Sequence, residues 1–143
     1  MYNQINRYVQ LQQTTQSGQR AVSILLRRAS SALHEAEIAI EKGDIEKRVK
    51  MSGIASDLLF GLSNIFREAS AQGDAKAQEL AEYFDAMVDL INRMNFHNEA
   101  RTAQALADNL ARCALEWDKN SQSQKAAPTL QGQKMQDLNA LVV

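Results

Sequence analysis

The sequence predicts an all-α protein, an antiparallel up-down four-helix bundle with an N-terminal arm and a flexible C-terminal tail. Three observations lead there. Apolar residues recur at intervals of three and four through four long stretches, the period of one helical face. One proline in 143 residues and an aromatic content of 6% disfavour a sandwich or a barrel. Gly-Asp pairs at 43–44 and 73–74 each supply a helix stop followed at once by a helix cap. A chain of this length forms one domain, expected over residues 1–120 with the tail at 121–143.

The elements follow in order. Residues 1–17 are rich in Gln, Asn and Thr, with Ile5, Tyr8, Val9 and Leu11 as isolated apolar anchors, which predicts an arm lying on the bundle. A first helix is expected over Ala21–Glu41, where Val22, Leu25, Leu26, Ala29, Leu33, Ala36 and Ile40 form one stripe. Gly43 ends it and Asp44 caps a second helix from Ile45 to Ala69, with Val49, Met51, Ile54, Ala55, Leu58, Leu62, Ile65 and Phe66 on its stripe. Gly73 and Asp74 repeat the joint ahead of a third stripe of Ala77, Leu80, Phe84, Met87, Val88, Ile91 and Met94. The pattern breaks over Asn95–Asn98, and Asn98 is expected to cap a fourth helix carrying Ala103, Leu106, Ala107, Leu110, Cys113, Ala114 and Trp117. Connections of two to six residues reach only the near end of the next helix, so neighbours must run antiparallel. From Asp118 the chain turns polar and carries Pro128, then ends in a weak helical pattern of Met135, Leu138, Leu141 and Val142, which predicts a mobile tail with a short terminal helix.

Chemistry is hard to place on this pattern. Sixteen Lys plus Arg against seventeen Asp plus Glu leave a net charge of -1, giving no field that would favour nucleic acid or an anionic membrane. Arg27, Arg28, Lys42, Lys47, Arg48 and Lys50 are interleaved with Glu35, Glu37, Glu41, Asp44 and Glu46, the signature of a solvated helix face. Metal-binding bundles need Glu-x-x-His pairs, and neither His34 nor His97 has a Glu three residues before it, so no metal or other cofactor is expected. His34 reads as a surface residue and His97 as part of a loop. Cys113, the single cysteine, falls on the apolar stripe of the fourth helix, where burial would leave it inert. A lone thiol also fits a reducing, cytoplasmic setting. Met1–Gln10 lacks the apolar run of a leader, and no stretch approaches the roughly 18 apolar residues of a membrane span. No phosphate loop is present, and an enzyme is not expected.

Apolar surplus is the remaining signal. Ile24 and Ile38 lie off the first stripe, and Leu58, Leu59 and Phe60 are consecutive. Three consecutive helical residues sweep about 200° around the axis, so one of them must face away from a single core. Gly53 and Gly61 sit inside the same helix, where each costs up to about 1 kcal/mol relative to alanine. Tight helix packing, cover by the arm, or a groove for an amphipathic helix from another chain would each explain the pattern.

Several segments resemble the FliS family of flagellar export chaperones in order and spacing across residues 1–120. They are Met1-Tyr2 with Ile5 and Tyr8, the run from Ala29 to Asp44 (ASSALHEAEIAIEKGD), Leu80 to Met87 (LAEYFDAM), Met94-Asn95 and Glu116-Trp117. The chain departs from the family pattern at Ser17-Gly18, where a Ser-Pro pair is usual, and at Leu25-Leu26-Arg27-Arg28. The resemblance implies a cytosolic, non-enzymatic bundle that binds the disordered C-terminal segment of flagellin, prevents premature polymerisation and keeps it export-competent. On that reading Ile5 and Tyr8 anchor the arm, and Leu26, Leu58, Leu59, Phe60 and Leu62 are the candidate client-binding residues. The flagellar export gate is a further candidate partner, and homo-oligomerisation stays open. The alternative is a helical adaptor or regulatory protein that oligomerises or binds another secretion component.

Overall fold

In a computed structural model of the protein, residues 16–122 are described. They form four helices, α1 (Gln16–Lys42), α2 (Ile45–Ala71), α3 (Ala75–His97) and α4 (Ala100–Gln122), and no strand occurs among the described residues. The expected arm and most of the expected tail lie outside this range. Helix α1 begins before the expected end of the arm and continues through Gly18, and α4 runs five residues past Trp117. Side-chain polarity did not stop either helix, because Gln, Lys and Arg are good helix formers.

One device makes all three joints. Gly43 adopts φ 73°, Gly73 φ 110° and Asn98 φ 60°, the left-handed region where a helix can turn off its axis. At the first joint Gly43 N–H donates to Ile40 O (3.2 Å) and Asp44 N–H to Ala39 O (2.8 Å). At the second, Gly73 N–H donates to Ser70 O and Asp74 N–H to Ala69 O; at the third, Glu99 N–H donates to Met94 O. The acidic residue then opens the next helix: Asp44 Oδ1 accepts from Lys47 N–H, and Asp74 Oδ1 from Lys76 and Ala77 N–H. Sequence reasoning put Asn98 at the N-cap of α4. Instead Asn98 closes α3, a place asparagine fills because it tolerates the left-handed conformation, and Glu99 O accepts from Ala103 N–H. His97, expected in a loop, is therefore the last residue of α3.

Such short joints place each helix antiparallel to the one before it. The closest neighbours are α1 with α4, α2 with α3 and α1 with α2, whereas α3 and α4 approach over a much shorter stretch. Side-chain size accounts for the difference, since the spacing of packed helices follows what lies between them. Ala29, Ala32 and Ala36 of α1 and Ala103, Ala107 and Ala114 of α4 are buried, and Ser30 Oγ donates to Ala107 O (2.7 Å) from one helix to the other. Ser63 Oγ similarly lies 3.1 Å from Ala81 O between α2 and α3. Large side chains occupy the wider space. Phe66 lies 5.9 Å from Phe84 and 5.7 Å edge-on from Trp117, with Tyr83 against Phe84, so rings from α2, α3 and α4 fill the end of the bundle where α4 finishes. Leu25, Leu26, Leu33, Leu59, Leu62, Met87, Ile91, Met94 and Leu110 complete the core.

Two glycines should respond to alanine with opposite sign. Gly43→Ala forces a Cβ into the left-handed region and is expected to destabilise the fold by about 1 kcal/mol. Gly53 lies within α2, where an added Cβ meets nothing within 4 Å, so Gly53→Ala is expected to stabilise the free protein by about 0.5–1 kcal/mol. Urea unfolding followed by circular dichroism measures both, the midpoint falling in one case and rising in the other.

Candidate functional site

The expected client-binding residues separate by burial. Leu26, Leu58, Leu59 and Leu62 are buried members of the core, so a partner cannot touch them while the bundle is closed. Phe60, the third residue of the consecutive apolar run, faces outward with 43% of its surface exposed. Ile5 and Tyr8 lie outside the described residues.

Chemically reactive groups do not converge. Among the described residues no group of His, Cys, Asp and Glu could hold a metal ion. The thiol of Cys113 is buried 3.7 Å from Tyr83 Oη, and burial pushes its pKa from 9.0 up to about 11, with the hydrogen bond to Tyr83 only partly opposing that rise. The phenol of Tyr83 is raised as well, chiefly by its own burial and then by the neighbouring Cys113. His34 is exposed near Glu37 (3.4 Å) and Asp108 (3.9 Å), and His97 lies edge-on to the ring of Phe96. No described helix is long and apolar enough to cross a membrane.

What the outside of the bundle offers is two apolar seams of different character. Along the α1–α4 seam, the exposed Ile24 and Ile38, together with Leu115, are separated by charge: Arg27 pairs with Asp118, and His34 stands opposite Asp108. Polar groups thus divide that surface into single apolar residues.

The α2–α3 seam is more continuous. Ile45, Val49, Ser56 and Phe60 recur at intervals of four, seven and four on α2, so they share one stripe, with Gly53 between Val49 and Phe60. Ile45, Val49 and Phe60 are exposed, and Phe96 at the far end of α3 is 82% exposed. Val88 on α3 is half-buried against the core. Polar clamps bracket the stripe. At one end Arg48 donates to Asn95 Oδ1 (2.9 Å) and Asn98 Oδ1 (2.8 Å), tying the start of α2 to the α3–α4 joint. Toward the other, Ser63 Oγ (2.6 Å) and the Arg67 guanidinium both donate to the Asp85 carboxylate. Between them Ser56 Oγ is buried with no hydrogen-bond partner.

Sequence reasoning missed most of this stripe. Val49 was assigned to the inward face, but it lies about 100° round the helix from Arg48 and stands outside. Phe96 fell within the stretch taken as a break. The signal that could have placed Val49 outside is the spacing 45, 49, 53, 56, 60, a second stripe on α2 offset from the core; it does not reach Phe96 on α3.

The comparisons bear on this surface through family alone. A family model described as flagellar protein FliS matches residues 1–124. No curated protein and no solved structure matches the chain.

Burial of the Cys113 thiol has a measurable consequence. Its folded pKa is raised, so its contribution to stability is complete below pH 9.0, the unfolded value, and is lost as the pH rises through about 11. The urea midpoint should fall over that interval, and Cys113→Ala should make the fall shallower while Tyr83 still contributes. A thiol reagent at pH 8 should label the native protein far more slowly than the unfolded chain.

Proposed function

This chain belongs to the FliS family, a family of flagellar chaperones, and on that premise we propose that it binds the C-terminal segment of flagellin in the cytosol. Binding keeps the segment from assembling prematurely and holds it in a form fit for export. The α2–α3 stripe is the observation that carries this reading: Ile45, Val49, Phe60 and Phe96 remain apolar and exposed although the bundle's own core is complete without them.

The physical requirements agree with that role. A client segment that orders on binding incurs about 2–5 kcal/mol, which about 200 Å² of apolar burial offsets at roughly 25 cal/mol per Å². Lost translational and rotational freedom adds about 4–15 kcal/mol, so the footprint must extend well beyond one stripe. A client that wraps the bundle meets that requirement. Ile5 and Tyr8 then serve as the anchors by which the arm covers part of the surface before flagellin arrives. Leu26, Leu58, Leu59 and Leu62 act from within, holding the helices on which the surface is displayed. No nucleotide is called for, because release of water from apolar surface drives the association. The export gate is the next partner in this scheme, receiving the client from the chaperone.

Mixing the protein with flagellin should give a one-to-one complex by light scattering, and flagellin lacking its C-terminal segment should give none. Val49→Ser with Phe96→Ser should weaken the complex at least about tenfold while leaving the melting temperature nearly unchanged, since both residues are exposed. Full binding by the truncated client would overturn the mechanism, and unchanged affinity of the double variant would move the site elsewhere.

A further inference from the structure

Arg27, Arg48 and Arg67 each tie one helix of the bundle to another, but not in the same way. Arg27 meets Asp118 and Arg67 meets Asp85, so each guanidinium lies on a carboxylate. Arg48 is held by two uncharged amides instead: its Nε donates to Asn95 Oδ1 (2.9 Å) and its Nη1 to Asn98 Oδ1 (2.8 Å). It forms no ion pair with a described residue. The acidic residues of the two adjoining joints are engaged elsewhere, Asp44 Oδ1 accepting from Lys47 N–H and Glu99 Oε1 from Thr102 Oγ1. Nη2 of Arg48, with its two N–H donors, meets no described acceptor.

This fixed positive charge stands among exposed apolar side chains. Ile45 lies three residues before it and Val49 one residue after it on α2, and Phe96 follows Asn95 on α3. Arg48 itself is half-buried. A purely apolar segment laid over these residues would strip water from the guanidinium without replacing it, which is costly for a charge. A segment that brings a carboxylate supplies the missing partner, and hydrogen bonds with charge on both sides are the strong ones. Because Asn95 and Asn98 already hold the guanidinium in place, little side-chain freedom is lost when that bond forms.

We propose that Arg48 is a carboxylate-recognition point within this surface, taking an Asp or Glu side chain of the flagellin segment while Ile45, Val49 and Phe96 receive the apolar residues beside it. The identity of the client rests on the flagellin reading; the chemistry of the site rests on the side chains around Arg48. A fixed charge in an apolar patch does what apolar contact alone does not. It selects one register of the client, since sliding the segment by a turn would leave both charges unpaired.

Calorimetric titration of the full-length protein with flagellin gives a two-by-two comparison. Replacing the Asp and Glu side chains of the flagellin segment by Asn and Gln should weaken its binding to the native protein about tenfold, whereas Arg48→Gln should bind the two clients equally. A general loss of fold in the variant affects both clients alike and cancels in the ratio. Lys50→Gln, at an exposed charge two residues further on, should keep the difference of about tenfold. Equal binding of the two clients by the native protein, or the same ratio in Arg48→Gln as in the native protein, would overturn the proposal. A second titration needs no flagellin. Hexanoate should shift the amide NMR signals of Val49 and Phe96 at about fivefold lower concentration than hexanol, and Arg48→Gln should abolish that difference. Equal midpoints for the two probes in the native protein would overturn the carboxylate site. A preference for hexanoate beside no binding of either flagellin would overturn the client assignment and leave the carboxylate site standing.

Discussion

The fold rests on joints only two or three residues long. A residue in the left-handed conformation ends one helix, and an acidic residue immediately starts the next; Gly43-Asp44, Gly73-Asp74 and Asn98-Glu99 are three instances of it. Because the joint contains no slack, the direction of each helix is set by the one before, and the only way four amphipathic helices so connected can bury their stripes is side by side in alternating directions. The hydrogen bonds that close each helix also leave few backbone groups of the turn unpaired, so the joints withstand exposure to water.

Within that arrangement, side-chain size decides spacing. Alanines and single serines bring α1 to α4 and α2 to α3 closely enough for hydroxyls to reach carbonyls of the facing helix, as Ser30 and Ser63 do. Phe66, Phe84, Trp117 and Tyr83 fill the space where α3 and α4 stand apart. Tyr83 of the same cluster lies against Cys113, and burial there holds the thiol in its unreactive protonated form. The α2–α3 seam, with exposed apolar side chains between polar clamps, is the surface on which the proposed reading of this FliS-family chain rests.

That surface has a structural cost built into it. Exposed Ile45, Val49 and Phe96 contribute little to the fold, and Gly53 weakens α2, so stability does not account for these residues. Exposed apolar side chains along one seam also invite unwanted association.

Sequence alone determined the helices and their antiparallel order, because amphipathic periodicity and left-handed joint residues are local properties that neighbouring residues express without help from the rest of the chain. It also showed that one of Leu58, Leu59 and Phe60 had to face outward, since their angular spread exceeds any single core. Only the tertiary structure decided which one. Leu58 and Leu59 are buried in the core, whereas Phe60 and Val49 are exposed. Asn98 shows the same division: its residue type suits either end of a helix, and the closing hydrogen bond from Glu99 N–H to Met94 O assigns it to α3. The physical reason is that a helix repeats every 3.6 residues, so sequence defines a stripe only to within a fraction of a turn, and packing against specific neighbours settles the rest.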